Sequence, residues 1–472
     1  MSNESTTAKP FKPDKVSKGK MLSYGMAPFI SNMTVASYNL LLFYYYEVEL
    51  GLSIALVGLS YVIYAIWNMV NDPLVGFLTD KPMRWSKKYG LRTPWIIVSG
   101  ILLIACYYFL YAVPDVGDVK SNPWPLFWYM VFITCLFDTF FSIFQIHFIG
   151  GFGNTFRSKD DRRKGSMIMG LFAVCSAMFI RIVIIANVIV FGDPSSFVRA
   201  ALLTGVISFI ALILLLPGIH ENETVKKRYF QIYEFRELQK MPYFKLLKLA
   251  FKQKGYVTFT IALTLHSCAR ILRIASELYM IKDVLNLDMT VIALLAFFFI
   301  IFLVPSMIVS SYIVKKIGHA NVWIICLILL VFFYISSLWV TTLTHLIILY
   351  AFYGVVTGAQ SSVMYAMIAD TNDEVVNAAG RHVEGTLGGI RTFFVRIAYI
   401  ATGAIIAGVH LATGYIPGAS TQTPLALMGV RIHYGGVPAL FEGIAAIIMI
   451  KFYDIKGEKR EQIMASLKAK RL

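Results

Sequence analysis

Charge is what this chain of 472 residues has least of: Asp, Glu, Lys and Arg make up 15%, against 57% hydrophobic residues and a mean hydropathy of +0.67. A soluble chain needs roughly a quarter of its residues charged, so the shortage excludes a water-soluble globular protein and points to a polytopic membrane protein. Acids are scarcer still, 27 against 43 Lys and Arg, which leaves a net charge of +16. Such an excess would suit nucleic acid only if basic residues clustered beside exposed aromatics on a soluble domain. Here they fall between apolar blocks, which excludes nucleic acid as a partner. Cysteine is also rare. Cys106, Cys135, Cys175, Cys268 and Cys326 all lie inside apolar stretches without C-x-x-C spacing, which excludes a zinc or redox motif and leaves them as small core residues. The first twenty residues are polar and Lys-rich with no apolar run and cleavage site behind them, so they read as a cytosolic lead-in rather than a signal peptide. Paired catalytic acids, a metal-ligand cluster and a nucleophile elbow are all missing, and His147, His266 and His410 stand isolated in apolar runs. Neither an enzyme nor a bound cofactor or metal is expected.

What the chain does have is apolar length. Blocks of about twenty residues, enough to cross roughly 30 Å of hydrocarbon, occur at 22–46, 53–79, 93–113, 126–150, 166–191, 198–218, 255–281, 289–313, 321–342, 344–368, 385–412 and 434–453. Lys and Arg then set the orientation, because loops retained in the cytoplasm keep them. They crowd before the first block, between the second and third (Lys81, Arg84, Lys87, Lys88, Arg92), between the fourth and fifth, and between the sixth and seventh, and the tail is basic again. The alternate connections carry only Lys120, Arg199, Lys282 and Arg431. Both termini are therefore expected in the cytoplasm of a cell whose plasma membrane holds the protein. The expected organisation is a cytoplasmic segment 1–20, a six-helix half 21–218, a cytoplasmic loop 219–254, a second six-helix half 255–453 and a basic tail 454–472. Two such halves suggest an all-α transporter working by alternating access as a monomer in lipid. A channel would call for a filter sequence such as TVGYG, which is missing. The loop stretch "FQIYEFRELQKMPYFKLLKLAFKQ" has aromatics and Lys at helical spacing and suits the headgroup layer.

The stretch "AIWNMVNDPLVGFLTDK" (65–81) places Asn68, Asn71 and Asp72 in an apolar helix. A carboxylate there is expensive and is read as functional. Its end, Gly76-x-x-x-Asp80-Lys81 followed by Arg84, resembles the major facilitator signature between the second and third helices. More narrowly, "NDPLVGFLTDK...GLRTPWI", the first-helix stretch from Met21 to Ser53 and "MIADTNDEVVNAAGRHVEG" (367–385) resemble the glycoside-pentoside-hexuronide:cation symporter family, to which melibiose permease belongs. That resemblance implies a major facilitator fold of about twelve helices and cation-coupled sugar transport. Gly76, Asp80, Lys81 and Arg84, with Asp370, Arg381 and Glu384, then stand at its cytoplasmic gating motifs.

The resemblance also locates departures. Asn32 and Gln145 stand where the sugar permeases of the family have sugar-binding acids. Asn68 and Asp72 stand where two acids hold the coupling cation, and Arg396 stands for a Lys of the cation region. Of the four carboxylates only Asp72 remains. Since a hard cation gains most from several charged oxygens and a proton needs one titratable carboxylate, H⁺ is expected as the coupling ion rather than Na⁺.

The seventh block adds a positive face. His266, Arg270, Arg273 and Glu277 are spaced four, three and four apart and share one helical face, which must look into the bundle or a water-filled cavity. Arg273 and Glu277 can lock together at i, i+4, but Glu277 cannot also neutralise Arg270. Arg181, Arg391 and Arg396 lie in other apolar blocks, against Asp72, Asp138 and Glu277 as the clear membrane acids. Guanidinium matches carboxylate, sulfate or phosphate with two parallel hydrogen bonds, so the surplus tilts the solute toward an anion. Arg270 and Arg396, with His266, are the expected anion contacts, and Asn32 and Gln145 the expected hydroxyl contacts. Asp138 either joins Asp72 and Asn68 as a proton or cation site or pairs with Arg181. The expected cargo is a glycoside, a uronic-acid sugar or a related organic anion. A lysophospholipid, or a transport-inactive sensor or scaffold, is the alternative.

Overall fold

The computed structural model describes residues 16–79, 85–156, 159–185, 188–223, 226, 243–380 and 383–470. Among these residues every regular element is a helix. The first six spans are α1 (Met26–Tyr44), α2 (Ile54–Thr79), α3 (Thr93–Phe109), α4 (Trp124–Thr155), α5 (Lys159–Phe179) and α6 (Pro194–Ile219). The second six are α7 (Lys254–Tyr279), α8 (Val291–Ile317), α9 (His319–Ser337), α10 (Leu343–Ala379), α11 (Glu384–Val395, continued by Ile397–Thr413) and α12 (Pro424–Arg431, continued through Ile432–Gly436 to Val437–Phe452). Ten of these are long and apolar enough to cross a bilayer. The exceptions have simple causes: α3 has only 17 residues, and α1 buries the polar Ser31, Thr34, Ser37 and Asn39. Helices α4 and α10 run to 32 and 37 residues, well past their apolar stretches, because a helix that leaves the hydrocarbon satisfies its own backbone and needs no apolar side chains to continue.

The first and last of the described residues lie on one face. Lys20 Nζ donates to the carbonyl of His220 at the end of α6, 3.0 Å away. The helix Gly457–Lys470 folds against the end of α10 through Arg460 with Asp370 (2.9 Å) and Lys459 with Glu374 (2.6 Å). On the opposite, far face, helices start with polar caps: Asp193 accepts from Ser195 N (3.1 Å), Thr342 from His345 N (3.2 Å) and Thr423 from Ala426 N (3.2 Å). Each satisfies an amide that the first turn leaves without a partner.

Small residues bring helices together. A Cβ on Gly354 or Gly358 of α10 would lie 2.1 or 2.3 Å from the carbonyl oxygens of Phe299 or Leu303 on α8, so these two helices touch backbone to backbone. Gly354→Leu is expected to cost at least the 1–3 kcal/mol or so of an overpacked core, because the obstacle is backbone and cannot swing aside. A thermal melt in detergent checks it, with a clear fall in Tm expected. The halves meet in the same way where Gly58 of α2 faces Gly403 and Ala407 of α11, with 2.9 Å from a Gly58 Cβ to either neighbour.

Candidate substrate site

A cavity of about 430 Å³ lies between the halves, lined by α1 (Asn32, Val35, Ala36, Asn39), α5 and the π-turn after it (Ala173, Ala177, Met178, Arg181), α7 (Arg270, Arg273, Ile274), α8 (Phe299, Leu303) and α10 (Tyr350, Tyr353, Thr357, Ser361). That volume suits a monosaccharide-sized solute. One buried acid organises its charged wall. Glu277, only 1% exposed, takes Arg181 of the first half through two bonds of 2.6 and 3.2 Å. It also takes Arg273 of its own helix at 3.3 Å, and Arg273 donates to the Tyr350 hydroxyl at 3.0 Å and lies over the Tyr353 ring at 4.7 Å. Arg270 is exposed to the cavity and has no hydrogen bond or ion pair among the described residues. Two guanidinium groups thus share one carboxylate while a third faces the same cavity, so the wall carries a surplus of positive charge. Asn39 Oδ1 and Arg273 Nε, both buried, have no partner among the described residues.

A second constellation lies on α2, α4 and α11. Asp72 accepts a hydrogen bond from the Ser142 hydroxyl and pairs with Arg396 across the halves at 3.1 Å. One turn earlier, Asn68 turns to Asp138 at 2.5 Å, and Asn71 and Tyr64 reach the same carboxylate at 3.2 and 3.3 Å. Asp138 is therefore buried among two amides and a phenol, and Asp72 sits at the boundary between halves with an arginine.

The model of the family described as MFS/sugar transport protein matches residues 23–457. The chain belongs to that family. It is a major facilitator transporter and not an enzyme. Across 94% of this transporter, 24% of residues are identical to a putative sulfoquinovose importer of Escherichia coli (strain K12), of which 92% is covered. It is also 36% identical over 80 residues to the sodium-dependent lysophosphatidylcholine symporter 1-A of Danio rerio, a match spanning 17% of this chain and only 14% of that protein. The fold is shared with solved structures of the nucleoside transporter NupG (TM-score 0.57, 12% identity, 95% of this chain and 99% of that one). The E. coli xylose transporter XylE gives a TM-score of 0.57 at 11% identity, covering 95% and 97%.

In this MFS transporter the expected contacts divide. Asn32 and Arg270 line the cavity, and Asn32 also donates to the carbonyl of Pro28 at 2.9 Å. Three other expected substrate contacts do not line it. Arg396 is held by Asp72 instead. His266 is buried against Glu442 of α12 at 2.7 Å, an acid that passed unnoticed within "PALFEGIAA". Gln145 is half-buried on α4, away from the cavity lining. The Asn68 amide nitrogen donates to Asp138 and not to Asp72, while its buried Oδ1 has no partner among the described residues. Of the two readings of Asp138, the pairing with Arg181 is not formed, because Glu277 takes that arginine. Arg391 stays within its own half, donating to Thr371 and Asn372 at 3.3 and 2.7 Å. Asp370 holds Arg460 at the terminal face. Asp80, Lys81, Arg84 and Arg381, the side chain of Glu384 and the surroundings of Gly76 lie outside the described residues, as does 227–242 of the central loop. Sequence reasoning missed Asn39, Tyr350 and Tyr353, whose residue types are unremarkable in a Tyr-rich membrane protein.

Proposed function

We propose that this transporter carries an anionic sugar or a related organic anion into the cell by proton-coupled symport, acting as a monomer in the plasma membrane with both termini cytoplasmic. The observation that carries the reading is the positive cavity wall, in which Arg181 and Arg273 share Glu277 while Arg270 faces the cavity unpaired among the described residues. A guanidinium free to make a bidentate contact selects a carboxylate or sulfonate, and Asn32 and Asn39 beside it can both donate to and accept from hydroxyls. The similarity to a putative importer of sulfoquinovose, an anionic sugar, runs in the same direction. Asp72 is the coupling carboxylate in this reading: Arg396 neutralises it when the halves are in this arrangement, and a proton would do so when they separate.

Proteoliposome uptake tests this with sulfoquinovose, glucuronate, a neutral glucoside and lysophosphatidylcholine. The anionic sugars are expected to accumulate under an imposed pH gradient and to ignore Na⁺. Preference for the neutral glucoside would overturn the anion reading. Uptake of the lysolipid alone would favour the alternative raised by the short lysophosphatidylcholine-symporter match. A strict Na⁺ requirement would overturn proton coupling. Asp72→Asn is expected to lose uphill accumulation while keeping substrate exchange, and normal accumulation by this variant would remove Asp72 from coupling.

A further inference from the structure

Away from the cavity, the far ends of α1, α7, α11 and α12 bury a chain of titratable groups that the substrate site does not use. Glu47 lies where α1 widens into the π-turn Tyr45–Glu49, and is completely buried. Its Oε2 accepts from the Tyr279 hydroxyl at 2.5 Å and its Oε1 faces His410 Nδ1 at 2.9 Å. His410 Nε2 faces His433 Nε2 at 3.1 Å, and His433 Nδ1 faces Ser276 Oγ at 2.7 Å. Ser276 Oγ also lies 2.6 Å from the carbonyl of Leu272. Glu47 comes from the first half, and the other members from the second. The surroundings hold few other charges. Tyr44 packs on Tyr279 with ring centroids 5.2 Å apart, and Tyr415 stacks on His410 at 4.1 Å while donating to Asp283 at 2.7 Å. Lys282 Nζ sits over the rings of Tyr44 and Phe191, and Glu49 accepts from Gly192 N at 3.0 Å.

The atom order of this chain allows two complete hydrogen-bonding patterns. With no added proton, the Ser276 hydroxyl donates to His433 Nδ1, His433 Nε2–H donates to His410 Nε2, and His410 Nδ1–H donates to the Glu47 carboxylate. With one added proton, the Ser276 hydroxyl turns to the Leu272 carbonyl, His433 Nδ1–H donates to Ser276 Oγ, and His410 Nε2–H donates to His433 Nε2. The proton between His410 Nδ1 and Glu47 then belongs to a pair that is neutral overall, either imidazolium with carboxylate or imidazole with carboxylic acid. Every buried nitrogen and oxygen of the chain is satisfied in both patterns, and rotation of one hydroxyl converts the end of the chain. The patterns differ by one unit of charge. Without the added proton the closed far face buries a carboxylate that hydrogen bonds stabilise but that pairs with no Lys or Arg among the described residues, which low dielectric penalises.

We infer that Glu47, His410, His433 and Ser276 form a proton-binding site whose occupancy holds the far face of the transporter closed. The proton enters when the far face is open and Glu47 is wetted, and its presence lets Tyr279 and His410 close on Glu47. Its loss leaves a buried charge that favours reopening. The proposal rests on proton-coupled transport for its physiological meaning, and adds to Asp72 a separate site where the proton is first taken up.

The test is the reactivity of Ile274→Cys, a cavity-lining position, in protein whose five native cysteines are replaced. A membrane-impermeant maleimide is added to the far side of oriented proteoliposomes, across the pH range in which histidine titrates, roughly pH 5 to 8. Labelling, divided at each pH by the rate at which the same maleimide reacts with a small free thiol so that the thiolate fraction cancels, is expected to rise at least about tenfold with pH, corresponding to about 1.4 kcal/mol. Glu47→Gln, which keeps the shape of the protonated acid, is expected to label slowly at every pH. Ser276→Ala and His433→Gln are expected to flatten the profile. Labelling that is independent of pH in the parent, or a profile unchanged in Glu47→Gln and His433→Gln, would overturn the site. Sulfoquinovose accumulation under a pH gradient in the same vesicles separates the two claims. A labelling profile abolished by Glu47→Gln, without pH-driven accumulation in the parent, keeps the site and removes the symport reading.

Discussion

Arg270→Gln is expected to weaken binding of an anionic sugar by at least about tenfold and to leave binding of its neutral analogue within a few-fold of the parent. Truncating a buried charged hydrogen bond costs roughly 2–5 kcal/mol, and Arg270 is the cavity arginine without a partner among the described residues. Because no resident acid holds it, the substitution strands no carboxylate and should not unfold the helix. Loss of affinity is then attributable to the ligand. Titration of purified protein with glucuronate and with a neutral glucoside, together with a thermal melt, checks this. Equal loss for both compounds, or unchanged affinity for the anion, would make Arg270 a structural residue. Arg396→Gln, by contrast, should act on coupling more than on affinity, because Asp72 occupies its guanidinium.

The fold was legible because a bilayer leaves so little choice. A backbone in hydrocarbon must be helical or a closed barrel, and about twenty apolar residues between Lys-rich loops state each span almost directly. Residue type inside those runs then located Arg270 and Asn32 on the cavity wall. Pairing was legible only where it was local: Arg273 and Glu277 lie four residues apart and do meet at 3.3 Å. That Glu277 also takes Arg181, 96 residues away, and that Arg396 meets Asp72, 324 residues away, depend on how the two halves face each other. Helical periodicity carries no information about that. Glu47 escaped notice for a different reason. "YYYEVEL" reads as the wet end of a helix, whereas the π-turn there rotates the side chain inward against His410. The histidine that looked isolated in its apolar run is joined on both ring nitrogens by residues far away in sequence.

Glu277→Gln is expected to have the largest effect on stability, because the acid it removes is shared by two arginines. Its side chain is 1% exposed and that of Arg273 4%, while Arg181 retains 17% toward the cavity. Removing one partner from a buried ion pair costs roughly 3–5 kcal/mol, since the remaining charge is left in low dielectric. Here two positive charges remain, one from each half, and they repel each other across the interface that Glu277 bridges. The parent arrangement should therefore be lost in two ways, by a fall in Tm and by weaker association of α5 with α7. A double variant discriminates this from a simple packing defect. Arg181→Gln in the Glu277→Gln background removes one unpaired cation, so it should recover part of the lost Tm, whereas Arg181→Gln alone should lower it. Residues in one ion-pair network depart from additivity by about 0.5–3 kcal/mol, and the departure is expected to be favourable here. Additive losses would mean that the two arginines do not share Glu277 in the membrane. An anion in the cavity offers a second rescue: a sulfonated or carboxylated sugar can stand in for the missing carboxylate beside Arg181 and Arg273. Glu277→Gln should thus show a larger rise in Tm on adding glucuronate than the parent does, and the neutral glucoside should give no such rise. An equal rise with both sugars would show that the cavity reads hydroxyls and not charge.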